Sequence, residues 1–412
     1  KEDFVMKKSF WKTLVGNWNT KTVVGVAIGA ALFGVLCVSI VGASAWCIEV
    51  LIVVRFVFGL TGGLLSPMSL AMLYRFMPAS QQTMAASVWS MTSMVGAVLS
   101  TCLSGFILSV ASWRFLLLFN VPFAIIALLL CMKVLPNKQN DKVVKLDSRG
   151  FVLTSIASFM LLFAFSNLST WGMSTKLAIC IVCGVVLLAV YYLHSRKTEE
   201  PMLNLAVLKY KRYLAAFIAS GVNVIAIYMI TFLMPLFLQS GLGVSPAVTG
   251  LVMLPGSLMS IIIMPIATKL YAKIGEKLVA VSGVLTICIG SIPFILATPD
   301  TSILLITIAQ CVRCCGLAMV NLVSTNAQMS AVPPELSGHA SSLTNWSHQM
   351  LNALTVALAG SIAEMRIAQV SAGGGIAFAY TSTTNLLMSV SCVLLMLMIP
   401  VALKYYRGKK EC

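Results

Sequence analysis

The stretch VVGVAIGAALFGVLCVSIV, residues 23–41, contains no charged residue and no alternation of polar with apolar positions. Such a run is long enough to cross a hydrocarbon core about 30 Å thick as a helix. A transmembrane barrel strand would instead be about ten residues long and alternate in polarity. The same kind of run recurs along the chain. Of 412 residues, 59% are hydrophobic and only 10% are charged, and the mean hydropathy is +0.96. Soluble domains carry about 25% charged residues, so too few are present here to build a water-facing surface. The reading is an all-α, polytopic membrane protein.

Twelve spans are expected, at 22–42, 47–74, 84–110, 115–132, 150–167, 177–193, 213–238, 247–268, 278–297, 303–330, 340–363 and 384–403. Turn chemistry separates them, as in Pro78-Ala-Ser, Pro136-Asn137, Thr298-Pro-Asp and Pro333-Pro334. The formal net charge of +16 would suggest nucleic acid in a soluble protein. Its placement decides otherwise. With the N-terminus inside, alternate connections collect 23 of the 28 Lys and Arg residues. The opposite side holds only Arg114, Lys176 and Arg366. Basic residues gather on the cytoplasmic side of membrane proteins, so both termini are expected to be cytoplasmic, with no nucleic-acid partner.

The second and tenth spans look related. One reads Arg55-Phe-Val-Phe-Gly59-Leu60, the other Arg313-Cys-Cys-Gly316-Leu317. Each leads to a proline-containing loop, Met77-Pro78-Ala79-Ser80 or Val332-Pro333-Pro334-Glu335, and then to a helix rich in small residues. Transporters are often built from repeated helical halves. Two plain six-helix halves would put the repeat six helices apart, whereas it joins the second span to the tenth. The fifth and sixth spans are therefore read as two extra helices between the halves. Three regions follow: 1–132 as the remainder of an N-terminal half, 133–212 with the extra helices and basic linkers, and 213–412 as a C-terminal six-helix half. The chain begins with Lys1 and is expected to lack an N-terminal helical hairpin.

Several motifs, in order, carry a family resemblance. They are Trp113-Arg114-Phe115 with Phe119-Asn120-Val121-Pro122, and Leu146-Asp147-Ser148-Arg149-Gly150. Then come Glu200-Pro201 with Leu208-Lys209, and Pro235-Leu236-Phe237-Leu238-Gln239 with Gly250 and Pro255. The last is Pro333-Pro334-Glu335 with Ala340-Ser341-Ser342-Leu343-Thr344-Asn345. The chain resembles the fourteen-helix drug:proton antiporter family of the major facilitator superfamily from about residue 15 to the end, as that family's helices three to fourteen. Two departures stand out. The family's glycine–proline antiporter motif is replaced by Ser100-Thr101 and Ser104-Gly105. The loop motif reads Ala272-Lys273-Ile274-Gly275-Glu276-Lys277, with Ala where the family has Asp.

The resemblance implies a bacterial inner-membrane exporter of hydrophobic drugs or toxic small molecules, working by alternating access and the proton motive force. No other cofactor is implied. Its partners would be the bilayer and a small hydrophobic substrate, with a monomeric chain and an accessory export protein as a further possibility. The alternatives are a dedicated exporter of one metabolite, antibiotic or lipid, and a non-transporting remnant. An enzyme is not expected: no nucleophile–base set, metal cluster or phosphate-binding glycine loop stands in a credible place. Cys180 with Cys183, and Cys311 with Cys314 and Cys315, are spaced like metal ligands but lack His or Asp partners, and read as packing residues.

Ionisable groups inside a bilayer are costly and mark function. The spans contain Arg55, Arg313 and His348, and no Asp or Glu lies mid-span. For each arginine two readings stand: a cation beside the substrate path, or a packing group bonded to neighbouring carbonyls. His348 is either a proton-relay member or a hydrogen-bonded packing residue. Asn345, Gln239, Trp89 and Asn321 complete the candidate substrate and proton path. Ser93, Gly96, Ala97, Ser100, Ser104 and Gly105 form a small-residue seam for packing and gating. Lys273, Gly275 and Lys277 are the candidate loop motif.

Overall fold

In the computed structural model the described residues are 23–76, 96, 100, 103–134, 147–198, 201–333 and 336–406. They form helices and connecting turns, and nine of the helices are long and apolar enough to cross a membrane. Large apolar side chains face outward along them, among them Phe56, Phe106, Phe123, Phe159, Val182, Ile289 and Leu304. A soluble protein would not expose so much continuous apolar surface; lipid is the solvent that accepts it. The chain divides into two compact units, Lys1–Val144 and Lys145–Cys412.

In the first unit, α1 (Val23–Ala43) and α2 (Ile48–Phe76) follow the first two expected spans. Their contact runs through small residues on α1. A Cβ on Gly34 would lie 2.5 Å from Thr61 Cγ2, and one on Gly42 2.7 Å from Val54 Cγ1. Close backbone approach of this kind is how helices associate in lipid, where apolar burial gives little drive. The expected third span lies mostly outside the described residues, and 103–110 are helical. Then α3 (Arg114–Leu118) and α4 (Asn120–Val134) complete the unit. Arg114 Nη2 donates to the Ala45 carbonyl at 3.1 Å, tying the Trp-Arg motif to the turn between α1 and α2.

The second unit contains α5 (Ser148–Ser166), α6 (Thr175–Ser195), α7 (Lys211–Leu236), α8 (Pro246–Ile274), α9 (Glu276–Ile295) and α10 (Ile303–Met329). It ends with α11 (Ser337–Met396) and α12 (Met398–Tyr405). The two expected extra helices, α5 and α6, pack on each other where a Cβ on Gly184 would meet Leu161 at 2.7 Å. They also hold α11: Ser361 Oγ donates to the Phe165 carbonyl at 2.9 Å, and Ser169 Oγ to Glu364 Oε2 at 2.7 Å.

The ends of two expected spans are corrected. The expected spans end at 363 and resume at 384, but α11 stays helical across that interval on both sides of a single non-helical residue, Gly375, with φ 79° and ψ 167°. Only glycine enters that region without strain. Arg366 Nη2 donates to Ser382 Oγ at 3.2 Å, so the two arms of α11 fold back on each other about that residue. A backbone facing lipid must satisfy its own hydrogen bonds, which favours helix over loop. A second departure lies beyond α7. Pro235 has no N–H to give, and residues Phe237–Gly241 continue as a π-turn.

Candidate functional site

Two polar layers interrupt the apolar interior of the second unit. Arg313, on α10, makes the first and is 0% exposed. Its Nη2 donates to the Ala226 carbonyl on α7 at 2.7 Å, and its Nε to Ser291 Oγ on α9 at 3.2 Å. Three helices therefore share one guanidinium. The backbone allows this because glycines face it: a Cβ on Gly290 would lie 2.5 Å from Arg313 N, and one on Gly316 2.5 Å from the Gly283 carbonyl oxygen. This is the geometry of a packing arginine bonded to a neighbouring carbonyl.

The second layer is a chain of hydrogen bonds running across α7, α10 and the first arm of α11. Tyr213 OH donates to the Ala340 carbonyl at 3.0 Å and lies 3.0 Å from Thr344 Oγ1. Thr344 donates to Gln328 Oε1 at 2.7 Å. Gln328 Nε2 then donates to the Ala216 carbonyl at 3.1 Å and to Ser220 Oγ at 2.6 Å. Ser220 Oγ is 3.0 Å from His348 Nε2. Tyr213, Ser220, Gln328 and Thr344 are buried, while His348 is half-buried. Buried polar groups joined this way are each satisfied and hold three helices in register.

Two further clusters lie at helix ends. The loop motif turns at Gly275, whose φ of 87° and ψ of 169° suit glycine alone. The next residue, Glu276, is buried and accepts from Arg212 Nη2 at 2.6 Å and Tyr271 OH at 2.9 Å. Lys273 is exposed and Lys277 half-buried. At the start of α5, Asp147 accepts from Gly150 N at 2.8 Å, Met202 N at 3.2 Å and His194 Nε2 at 2.9 Å. Burial alone would raise its carboxyl's pKa. The bond from His194 and the two backbone N–H donors outweigh this and hold it below the ordinary carboxylate range. Beside it, Tyr191 OH bonds both the N–H and the carbonyl of Leu203, and Ser195 also donates to that carbonyl. This clasp ties α5 and α6 to the segment that leads into α7.

The remaining sequence candidates are spread more widely. Arg55 is exposed on α2 and hydrogen-bonds no other described residue. Asn345 is exposed near His348, Asn321 is half-buried on α10, and Gln239 is exposed in the π-turn. Of the small-residue seam, Gly96 and Ser100 are helical and exposed, Ser104 is half-buried and Gly105 buried. Trp89, Ser93 and Ala97 lie outside the described residues. Sequence reasoning missed Ser220, Gln328, Thr344 and Tyr213. A signal existed in the seven-residue interval between Tyr213 and Ser220 and the four-residue interval between Thr344 and His348, each of which keeps two polar groups on one helix face.

Long apolar helices, small-residue contacts and polar layers within a bundle define the class of a multi-pass helical membrane protein. The Major Facilitator Superfamily profile matches residues 8–357, and the chain belongs to that family. It is 23% identical over 309 residues to the uncharacterized MFS-type transporter YhcA of Bacillus subtilis, an alignment covering 75% of this chain and 58% of that protein. It is 25% identical over 336 residues to the multidrug efflux pump LfrA of Mycolicibacterium smegmatis, covering 81% of this chain and 66% of the relative. The chain thus spans less than two thirds of either relative's length. Among solved structures, an auto-inhibited POT family peptide transporter superposes with a TM-score of 0.65 at 14% identity, covering 93% of this chain and 83% of that one. At that identity the likeness is one of fold.

Proposed function

We propose that the chain exports hydrophobic drugs or toxic small molecules by proton-coupled alternating access. The observation that carries this is the buried hydrogen-bonded chain ending on the half-buried His348, within a bundle whose helices are mainly apolar. A polar network with a titratable end is what proton coupling needs inside a membrane, and the similar LfrA is a multidrug efflux pump. Arg55, Asn321, Asn345, Gln239 and Trp89 are proposed to line the path. The seam from Ser93 to Gly105 is proposed for packing and gating, and Lys273, Gly275 and Lys277 as the loop motif. The regions 1–132, 133–212 and 213–412 are proposed as half, insert and half. The distribution of Lys and Arg supports a bacterial inner membrane with both termini cytoplasmic. We take the chain to act as a monomer, with an accessory export protein as an optional partner.

The test is resistance and ethidium efflux in cells expressing the gene, with and without a proton uncoupler. Uncoupler-sensitive efflux is expected. Cells as sensitive as controls to every compound tried would overturn the export reading. Reporters fused after Lys142 and after Lys273 are expected in the cytoplasm, and an external signal from either would reverse the topology.

A further inference from the structure

We propose that the proton of the transport cycle is carried on Nδ1 of His348. The proposal rests on the export reading above. It follows from counting hydrogens along the buried chain. Gln328 has its amide orientation set from both sides, since its nitrogen meets the Ala216 carbonyl and its oxygen receives Thr344. That nitrogen also donates to Ser220 Oγ at 2.6 Å. Ser220 has one hydroxyl proton, and it goes to the Phe217 carbonyl at 2.9 Å. One lone pair of Ser220 is occupied and its proton is committed, so it offers the imidazole only its second lone pair. Nε2 of His348 therefore carries hydrogen and donates to Ser220 at 3.0 Å. A neutral imidazole with hydrogen on Nε2 has its basic lone pair on Nδ1.

Proton uptake at Nδ1 leaves every bond in the chain intact, because Nε2 donates in both forms. What changes is charge alone: the half-buried ring becomes a cation, and releasing the same proton restores the neutral ring. No carboxylate or cation hydrogen-bonds the imidazole among the described residues. On the packed elements, α7 offers Lys211, Arg212, Tyr213 and Tyr228, and the segment before it offers Lys209. Of these Tyr213 enters the chain, and Arg212 is engaged with Glu276. α5 has Arg149 at its start and no other charged residue. α10 contributes Arg313, which is held by the Ala226 carbonyl, together with Cys311, Cys314 and Cys315. α9, which also packs on α11, carries Glu276, Lys277 and Cys288. On α11 itself His339 lies at the start, Glu364 and Arg366 are bonded to Ser169 and Ser382, and Tyr380 and Cys392 lie on the second arm. In a chain with no acid mid-span, His348 is thus a titratable group placed to change charge without unmaking the bundle.

Two measurements on the purified full chain test this. The chain has three histidines, so the double variant His194→Gln, His339→Gln leaves His348 as the single ring to read by nitrogen-15 NMR. Hydrogen on Nε2, with Nδ1 gaining a proton as the pH is lowered over the range in which the protein stays folded, is expected, and Ser220→Ala should mix the two tautomers. Hydrogen on Nδ1, or a ring that stays neutral across that range, overturns the proposal. In proteoliposomes, His348→Gln should keep ethidium exchange without a gradient and lose accumulation driven by a pH gradient. Full gradient-driven accumulation in that variant also overturns it. Wild-type protein that moves no ethidium under either condition sinks the export reading instead, and the tautomer measurement then decides the proton site by itself.

Discussion

Arg55 and Arg313 open the two copies of a repeated pattern, the first four residues before Gly59 and the second three before Gly316, and their surroundings are opposite. Arg313 is wholly buried and bonded to two other helices. Arg55 is exposed, and a Cβ on Gly59 would meet nothing within 4 Å. The difference comes from the helix that precedes each. Gly283 and Gly290 on α9 face the line through Arg313 and Gly316 on α10. On α1, Gly34 and Gly42 instead face Thr61 and Val54 of α2, a line that passes Arg55 by. A related motif does not fix a shared face: one residue of spacing turns the arginine by about 100° relative to its glycine, and the neighbour's small residues select the face that packs.

That contrast can be broken by substitution. Arg313→Ala leaves the Ala226 carbonyl and Ser291 short of a partner and opens a void, so a loss of at least about 3 kcal/mol is expected. Thermal unfolding of the detergent-purified variant measures it, and an unchanged midpoint would remove the packing role. Gly316→Leu forces α9 and α10 apart and should cost about 1–3 kcal/mol by the same assay, whereas Gly59→Leu should be close to neutral. The smallest effect on stability belongs to Arg55→Ala, within about 0.5 kcal/mol. Efflux in that variant should nevertheless be lost if the exposed arginine serves the substrate path. Wild-type efflux would leave the pattern with no function in the first unit.

Between these extremes lies Asp147→Asn, expected to cost about 1 kcal/mol through the weakened helix cap. Its pH dependence has a definite sign. The folded carboxyl titrates below its ordinary value of about 3.9, so its contribution is present above that pH and fades as pH falls through the lowered value. Unfolding midpoints followed from neutral pH downward should drop less steeply in Asp147→Asn than in the wild type.

Much of the helical order is legible in composition, because runs such as 23–41 and 177–193 have no other stable form in lipid. The two spans on either side of Gly375 were legible, but the one-residue turn was not: Gly373, Gly374 and Gly375 amid Ser and Thr read like a loop in any aqueous setting. The site was legible only in part. Arg313 and His348 stand out as ionisable residues in apolar runs. Gln328, Ser220 and Thr344 look like ordinary polar residues near helix ends until three helices bring them together. Arg212 and Glu276 were equally hidden, since each reads as one more charge in a loop.

The single-residue reversal at Gly375 also bears on how the protein is made. With a single non-helical residue between them, the two arms of α11 are expected to enter the bilayer together rather than in turn. The bond from Arg366 to Ser382 needs both arms in place. A tag or cleavage sequence placed at this point would therefore not decorate a loop; it would separate two strokes of one folding event.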